Sequence, residues 1–370
     1  MPQVTFRSPD NTFQKELRRA VDAYFVENNI APTGDYRLYL KTGILIASAI
    51  TFYLLLMFKV VTGPVALGTT LVLGFVLACI GFNVMHDACH GSYSASRRIN
   101  DIMGLTLNAL GGNERFWKQK HNVIHHTYTN VEGVDDDIHK SPFLRMCETQ
   151  RFVPMHALQY IYMFPLYCLG TLFWIWFNDF KSYFAAKIHT TERWEMSLTD
   201  HVIFWVSKIL YVVFYLVIPI SVWGVGNFLI GYLLMNAVMG FTLSIVFQLA
   251  HVVEDTIFQK ADETIKKNVI EVDWTVFQLQ TTVNFGASNP VLSWFVGGLN
   301  YQVEHHLFPK VSHVHYPAVS KIVREVCQKY NVPYLEFQTF GDALQSHIRH
   351  MKALGSPDYV GGSHPHAALA

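Results

Sequence analysis

Eighteen of the 370 residues are histidine, and eight of them fall where they could act together. His86 and His90 close the run His86-Asp87-Ala88-Cys89-His90; on a helix they are i and i+4 and share one face. His121 and His125 repeat that spacing in His121-Asn122-Val123-Ile124-His125-His126, with His126 turned about 100° further on an α-helix. Gln302 and His306 repeat it again in Gln302-Val303-Glu304-His305-His306, and His251 directly follows a long charge-free run. A single HxxxH pair arises often by chance, and a lone histidine at a membrane boundary needs no special role. Three clusters in one chain are a different matter, because buried polar groups cost free energy unless paired and no packing requirement calls for so many imidazoles. A structural zinc takes four ligands and a catalytic zinc three plus water, so seven or eight imidazoles exceed one ion and suit two. Imidazole ligands with open positions suit iron, which can bind dioxygen; copper stays open on ligand type alone. The Glu-x-x-His pairs of carboxylate-bridged di-iron bundles are absent, since no glutamate has a histidine three residues on. Ligand count and type thus point to two metal ions, iron foremost, beside a membrane.

Apolar helices must position these histidines. Hydrophobic residues make up 51% of the chain, aromatics 14% and charged residues only 15%, against roughly a quarter charged in soluble domains. Mean hydropathy is +0.21, a membrane-protein value. Lys plus Arg and Asp plus Glu balance at 28 each, which argues against a nucleic-acid binder or an acidic tail. The five cysteines (Cys79, Cys89, Cys147, Cys168, Cys327) are odd in number and imply no disulfide framework.

The first 38 residues are mixed and charged, a poor signal peptide. Residues 43–58, with 38–41 ahead of them, and the uncharged residues 65–85 are each long enough to cross a hydrocarbon core of about 30 Å. They form a hairpin around Thr62-Gly63-Pro64. Residues 209–250 contain no Asp, Glu, Lys, Arg or His and span roughly twice the bilayer, so a break at Gly224, Gly226 and Asn227 makes a second hairpin. Residues 157–178 are also uncharged but interrupted by Pro165 and Gly170. Length alone makes them a fifth span, which would split the histidine clusters. Parity decides otherwise: clusters on either side share one site only if an even number of crossings separates them. The segment is therefore expected to be interfacial or re-entrant, with Trp174 and Trp176 at headgroup level. The turns near 62–64 and 224–227 carry no Lys or Arg, which places the charged regions and the histidines on the cytoplasmic side.

The expected fold is an all-α integral membrane protein. Four transmembrane helices in two hairpins carry a cytoplasmic helical cap that holds a histidine-rich di-iron site. Its parts are an N-terminal segment (1–38), the first hairpin (39–85), a cytoplasmic and interfacial region with the first two boxes (86–200), the second hairpin (201–250), a C-terminal cap (251–360) and a flexible tail (361–370).

With HDACH, HNVIHH and QVEHH in this order between hydrophobic hairpins, the chain resembles the membrane fatty acid desaturase family from about residue 40 to 340. The likeness includes Asn300-Tyr301-Gln302-Val303-Glu304-His305-His306-Leu307-Phe308-Pro309 and Thr129-Asn130-Val131-Glu132-Gly133-Val134-Asp135-Asp136-Asp137-Ile138. Gln302, where many relatives have histidine, is similar to the front-end subgroup of delta-5, delta-6 and linoleoyl-CoA-type enzymes, which desaturate between an existing double bond and the carboxyl end. The resemblance implies iron ligands, and hence catalytic residues, at His86, His90, His121, His125, His126, His305 and His306, with His251 as a further ligand. Gln302 takes the place of a ligand histidine, binding iron directly or through water. Some acyl-CoA relatives have Asn four residues before the position of His251; here it is Phe247, with Gln248 beside it.

The implied cofactors are two iron ions (Fe2+/Fe3+), and the implied substrate is a fatty acyl chain carried on CoA, a lipid or a carrier. No His-Pro-Gly-Gly haem motif occurs and 38 leading residues are too few for a cytochrome b5 domain, so a separate electron donor is expected, such as cytochrome b5 or ferredoxin with its reductase. Two irons, dioxygen and two electrons supply an oxidant strong enough for an unactivated methylene, which hydrolytic zinc cannot. The protein is expected in the lipid bilayer, of the plasma or inner membrane in a prokaryote and the endoplasmic reticulum in a eukaryote, with no nucleic-acid partner. Asp87 is expected either to orient a ligand imidazole or to be a solvated helix-end carboxylate, and Asp135 to Asp137 to form a solvated turn, with anchoring of a neighbouring loop or a ligand histidine as the alternative. Arg97, Arg98, Lys118 and Lys120 are expected to face lipid headgroups, with an acyl carrier's phosphates as the alternative. His139, His156, His189, His201, His313, His315, His347 and His350 are expected to have no role in the site. The rivals are a histidine-rich di-iron hydroxylase or ketolase and, from another class, a metal transporter, although transporters place their polar ligands near the membrane midplane.

Overall fold

The computed structural model describes residues 3–7, 11–139, 142–189, 191–261 and 267–359; the tail expected at 361–370 lies outside them. Four helical stretches are long and apolar enough to cross a membrane: Tyr36–Met57, Gly63–His90, Pro154–Phe184 and Leu198–His251. The first begins at Asp35, whose side chain accepts the backbone N–H of Arg37. The last has 54 residues, more than two bilayer thicknesses at about 1.5 Å per residue. It bends at Gly224, where φ is +70° and ψ is 163°, a conformation only glycine adopts without strain. This is the second hairpin turn that the sequence predicts. The two hairpins pack through small residues, as helices in membranes do. Gly74 of the first lies directly on the backbone of Met235 in the second, and Gly240 of the second meets the Pro154–Phe184 stretch, where a Cβ would sit 2.8 Å from the Tyr167 carbonyl.

Pro154–Phe184 is a span by length and composition alone, and its contacts show where its ends lie. At its start, Gln159 donates to the carbonyls of Arg145 and Met351, both 2.9 Å. Past its end, the strands Lys187–Ile188 and Thr191–Glu192 reach Gln119, whose Nε2 donates to Thr191 Oγ1 at 3.0 Å. Both ends therefore meet segments that flank the histidine clusters.

The remainder is a helical cap. Thr12–Glu27 buries Leu17, Val21 and Phe25, spaced i, i+4, i+8, against Val319, Val323 and Val326 of Tyr316–Lys329. The described residues also hold eight strands of two to four residues in four two-stranded ladders, which an all-α reading does not include. Segments that short show no period of two, so the sequence gives no signal for them. They act as staples: Val131–Glu132 pairs with Gln259–Lys260, pinning the chain after the second cluster to the chain after His251. All five cysteines are free, as their number suggests.

Candidate metal centre

Each histidine cluster sits on a short helix next to a backbone irregularity. The Gly63–His90 helix passes through a π turn, Gly81–Met85, and closes with one α turn, His86–His90. His86 and His90 do share a face there, with ring centroids 4.8 Å apart. The second cluster lies on a π turn, Gln119–His125, followed by His126–Tyr128. This corrects the expectation for His126. On an α-helix it would point about 100° away, but the wider turn brings His121, His125 and His126 to one side. His121 stacks on His125 at 5.3 Å and meets His126 at 4.7 Å. The third cluster, on Gln302–Leu307, is entered through Gly297 and Gly298, both at positive φ. A Cβ on Gly297 would lie 2.5 Å from the Phe82 carbonyl, so only glycine lets this segment settle on the π turn before His86. His251 is the last residue of its helix.

All eight histidines converge. Ligand atoms of His86, His90, His121 and His305 lie within 4.8 Å of one another; so do those of His125, His251 and His306. His126, His305 and His306 form a third such group that joins the first two. The Nε2 atoms of His86, His90, His125, His305 and His306 and the Nδ1 of His126 are buried with no hydrogen-bond partner. A buried nitrogen left unsatisfied costs roughly 1–3 kcal/mol. Unpaired nitrogens on six imidazoles packed this closely fit two metal ions and fit no packing purpose. Burial and the neighbouring imidazoles hold His121, His126, His305 and His306 well below the usual histidine range, which keeps them neutral with lone pairs free.

The opposite ring nitrogens are held. His125 Nδ1 donates to Asp135 at 3.0 Å, His251 Nδ1 to the Thr281 carbonyl at 3.2 Å and His306 Nδ1 to Gln278 Oε1 at 2.8 Å. His305 Nδ1 is 3.2 Å from the Tyr316 hydroxyl. Such contacts fix the tautomer and aim Nε2 at a metal. Gln278, Thr281 and Tyr316 escape sequence reasoning, because nothing in their local spacing marks them.

Three acidic or basic expectations change. Asp135 is not part of a solvated turn: it is 1% exposed and also accepts the backbone N–H groups of Asn130 and Asp137. Burial pushes the His125 imidazole down, but the Asp135 and Asp137 carboxylates together leave it raised. Lys120, expected at lipid headgroups, is bound internally to Asp136 and Asp137 at 2.9 and 2.8 Å. Asp87 is buried rather than solvated, and it holds His313 instead of a candidate ligand.

Gln302 donates from Nε2 to His251 Nε2 at 2.9 Å, while its Oε1 is buried without a partner. Turning this amide over would present the oxygen to the His125, His251 and His306 set. Phe247 lies 6.0 Å from the His121 ring and Trp117 stacks on that ring at 4.2 Å, giving the centre apolar walls.

Asp135→Ala strips three donors of their acceptor at once. It is expected to weaken metal binding by about 10- to 100-fold, the usual consequence of losing such a contact. Iron retained per chain during chelator titration measures this, and retention equal to the parent protein would show that His125 is oriented by other contacts.

A family model described as fatty acid desaturase matches residues 62–338. The chain is 33% identical to the sn-1 linoleoyl-lipid 6-desaturase of Synechocystis sp., over 93% of this chain and 95% of that protein. It is 35% identical to the enzyme of the same name from Arthrospira platensis, over 92% of each. It is 36% identical to the acyl-lipid (8-3)-desaturase of Physcomitrium patens, over 94% of this chain and 72% of that protein.

Proposed function

The chain belongs to the fatty acid desaturase family, and from that premise we propose that it is a front-end acyl-lipid desaturase of the delta-6 or delta-5 kind. It introduces double bonds into acyl chains, acting on a lipid-linked unsaturated chain between an existing double bond and the carboxyl end. One observation carries the chemistry: two overlapping sets of buried imidazole nitrogens, most of them without a protein partner.

His86, His90, His121 and His305 would hold one iron and His125, His251 and His306 the other, with His126 and Gln302 as further donors. Bound there, two irons supply the oxidising power that dioxygen and two electrons provide for removing hydrogen from a methylene group. Asp135, Gln278, Tyr316 and the Thr281 carbonyl keep the imidazoles aimed. Phe82, Phe247 and Trp117 exclude water and hold the acyl chain in place, and that positioning is much of what a protein contributes to such a reaction. Electrons come from a separate small carrier, cytochrome b5 or ferredoxin with its reductase.

The cap lies on the cytoplasmic side of the membrane, where most of the Lys and Arg residues lie. Pro154–Phe184 lies at the interface, since both its ends return to that side. In this reading the chain divides into hairpins at 39–85 and 201–250, the 86–200 region between them and the cap at 251–360.

The test is the fatty acid profile of a host expressing this chain and fed linoleic acid. A product with one more cis double bond on the carboxyl side is expected. A hydroxylated product instead would assign the chain to oxygen insertion and overturn the proposal.

A further inference from the structure

A second polar network, outside the eight histidines, crosses the base of the cap. Asp87 directly follows His86, and its Oδ2 accepts from Ser312 Oγ at 2.7 Å and His313 Nδ1 at 3.0 Å. The other nitrogen of His313, Nε2, lies 3.0 Å from Lys41 Nζ. Lys41 also donates to Asn83 Oδ1 at 2.9 Å, and Asn83 donates to the Phe295 carbonyl at 2.8 Å. Lys41, Asn83, Asp87, Ser312 and His313 are each at most 6% exposed. With Nδ1–H donated to a carboxylate, His313 Nε2 carries the lone pair that the Lys41 ammonium needs. A neutral imidazole therefore bridges a buried cation and a buried anion.

A buried ion pair is weak evidence of stabilisation, because apolar residues of similar size often hold a fold as well. Its value here lies in what it joins. Lys41 is on Tyr36–Met57, Asp87 within the first histidine cluster, and Ser312 and His313 on the loop after the third. His86 and His305, from the clusters so joined, belong to the same donor set, with rings 4.4 Å apart. The other set is oriented separately, His125 by Asp135, His251 by the Thr281 carbonyl and His306 by Gln278.

We propose that Lys41, His313 and Asp87 form a positioning bridge that fixes the first histidine cluster to the third and so holds the metal of the His86, His90, His121 and His305 set in particular. This rests on the two-iron reading of the site. His313 and Lys41 are positioning residues and touch no substrate.

The experiment is iron loading of full-length protein in detergent, with iron per chain and electron paramagnetic resonance as readouts. The parent protein is expected to hold two irons as a magnetically coupled pair. His313→Leu and Lys41→Met are expected to hold one, with the other bound at least about 10-fold more weakly and the signal of an isolated ferric ion in place of the coupled pair. His313→Asn, which keeps a donor toward Asp87, is expected to recover part of the second iron. Lys41→Met provides the answer if His313→Leu does not fold. Two coupled irons in the variants, or loss of both from folded protein, would overturn the bridge. Fewer than two in the parent would instead overturn the two-iron reading, and the bridge with it.

Discussion

Replacing His305 and His306 together by alanine is expected to remove the new fatty acid from linoleate-fed cells, a fall of more than about 100-fold. That exceeds the upper end of what losing a single outer contact costs a metal site. His305 belongs to the His86, His90, His121 set and also to the group with His126 and His306, while His306 completes the set with His125 and His251. The pair of substitutions therefore damages both metal positions. It does so without opening the protein to general collapse. Both Nε2 atoms are buried without a partner, so in metal-free protein their removal relieves two unsatisfied groups worth roughly 1–3 kcal/mol each, against the packing lost with the rings. Metal-free parent and variant should unfold at similar temperatures, and only the parent should gain stability on adding ferrous iron, because only it binds the ion. Fatty acid analysis, iron content and thermal unfolding with and without chelator test the three parts separately. Product formation by a well-expressed, iron-free variant would place the chemistry elsewhere in the molecule.

The histidines were legible because their chemistry and their spacing are both local. His86 and His90 sit one helical turn apart in sequence and in space, and an apolar run of the right length announces the helix that delivers them. The turn at Gly224 was legible for a similar reason: a stretch without charge and twice the bilayer length must fold back, and glycine marks where. What orients the imidazoles was not legible. Tyr316 is 11 residues beyond His305, Gln278 is 28 before His306 and Thr281 is 30 beyond His251. No helical or strand period connects them, so only the packed cap brings them together. The π turn at Gln119–His125 was invisible too, because an apolar or polar pattern does not separate i→i+4 from i→i+5 bonding over so short a segment. Charged residues misled where they were read by composition. Asp135 looks like part of a solvated turn in the sequence and Lys120 like a headgroup contact, yet Asp135 is buried on His125 and Lys120 is paired with Asp136. His313 follows the third cluster closely, but nothing local shows its role, because its partners Asp87 and Lys41 lie 226 and 272 residues away.

Lys208 was overlooked for the opposite reason: it stands one residue before the charge-free run, where a cation looks like the edge of a membrane helix. Its ammonium is instead buried and saturated, donating to Asp179 Oδ2 at 2.7 Å, the Gly111 carbonyl at 2.6 Å and the Ile175 carbonyl at 3.1 Å. Asp179 accepts in addition from Trp174 Nε1 at 3.0 Å. Three segments meet at this point: the Leu198–His251 helix, the loop before the second histidine cluster and the Pro154–Phe184 stretch near its end. Gly111, at positive φ, is packed so closely on the Tyr211 ring that a Cβ there would sit 2.6 Å from it. Lys208→Met removes the cation and leaves Asp179 buried with an uncompensated charge, so it is expected to destabilise the protein by about 3–5 kcal/mol. Lys208→Met with Asp179→Leu should recover more than half of that loss, because the pair as a whole adds little beyond satisfying itself; the two carbonyls left without a donor account for the rest. A double-mutant cycle by unfolding in mixed micelles gives both numbers. A single variant within about 1 kcal/mol of the parent would mean that water or lipid headgroups reach Asp179 and that the end of Pro154–Phe184 is not anchored on this helix. A large loss with strong recovery in the double variant would mean that the two charges serve to satisfy each other, and that packing of the Pro154–Phe184 end on the Leu198–His251 helix, not the ion pair, holds the two segments together there.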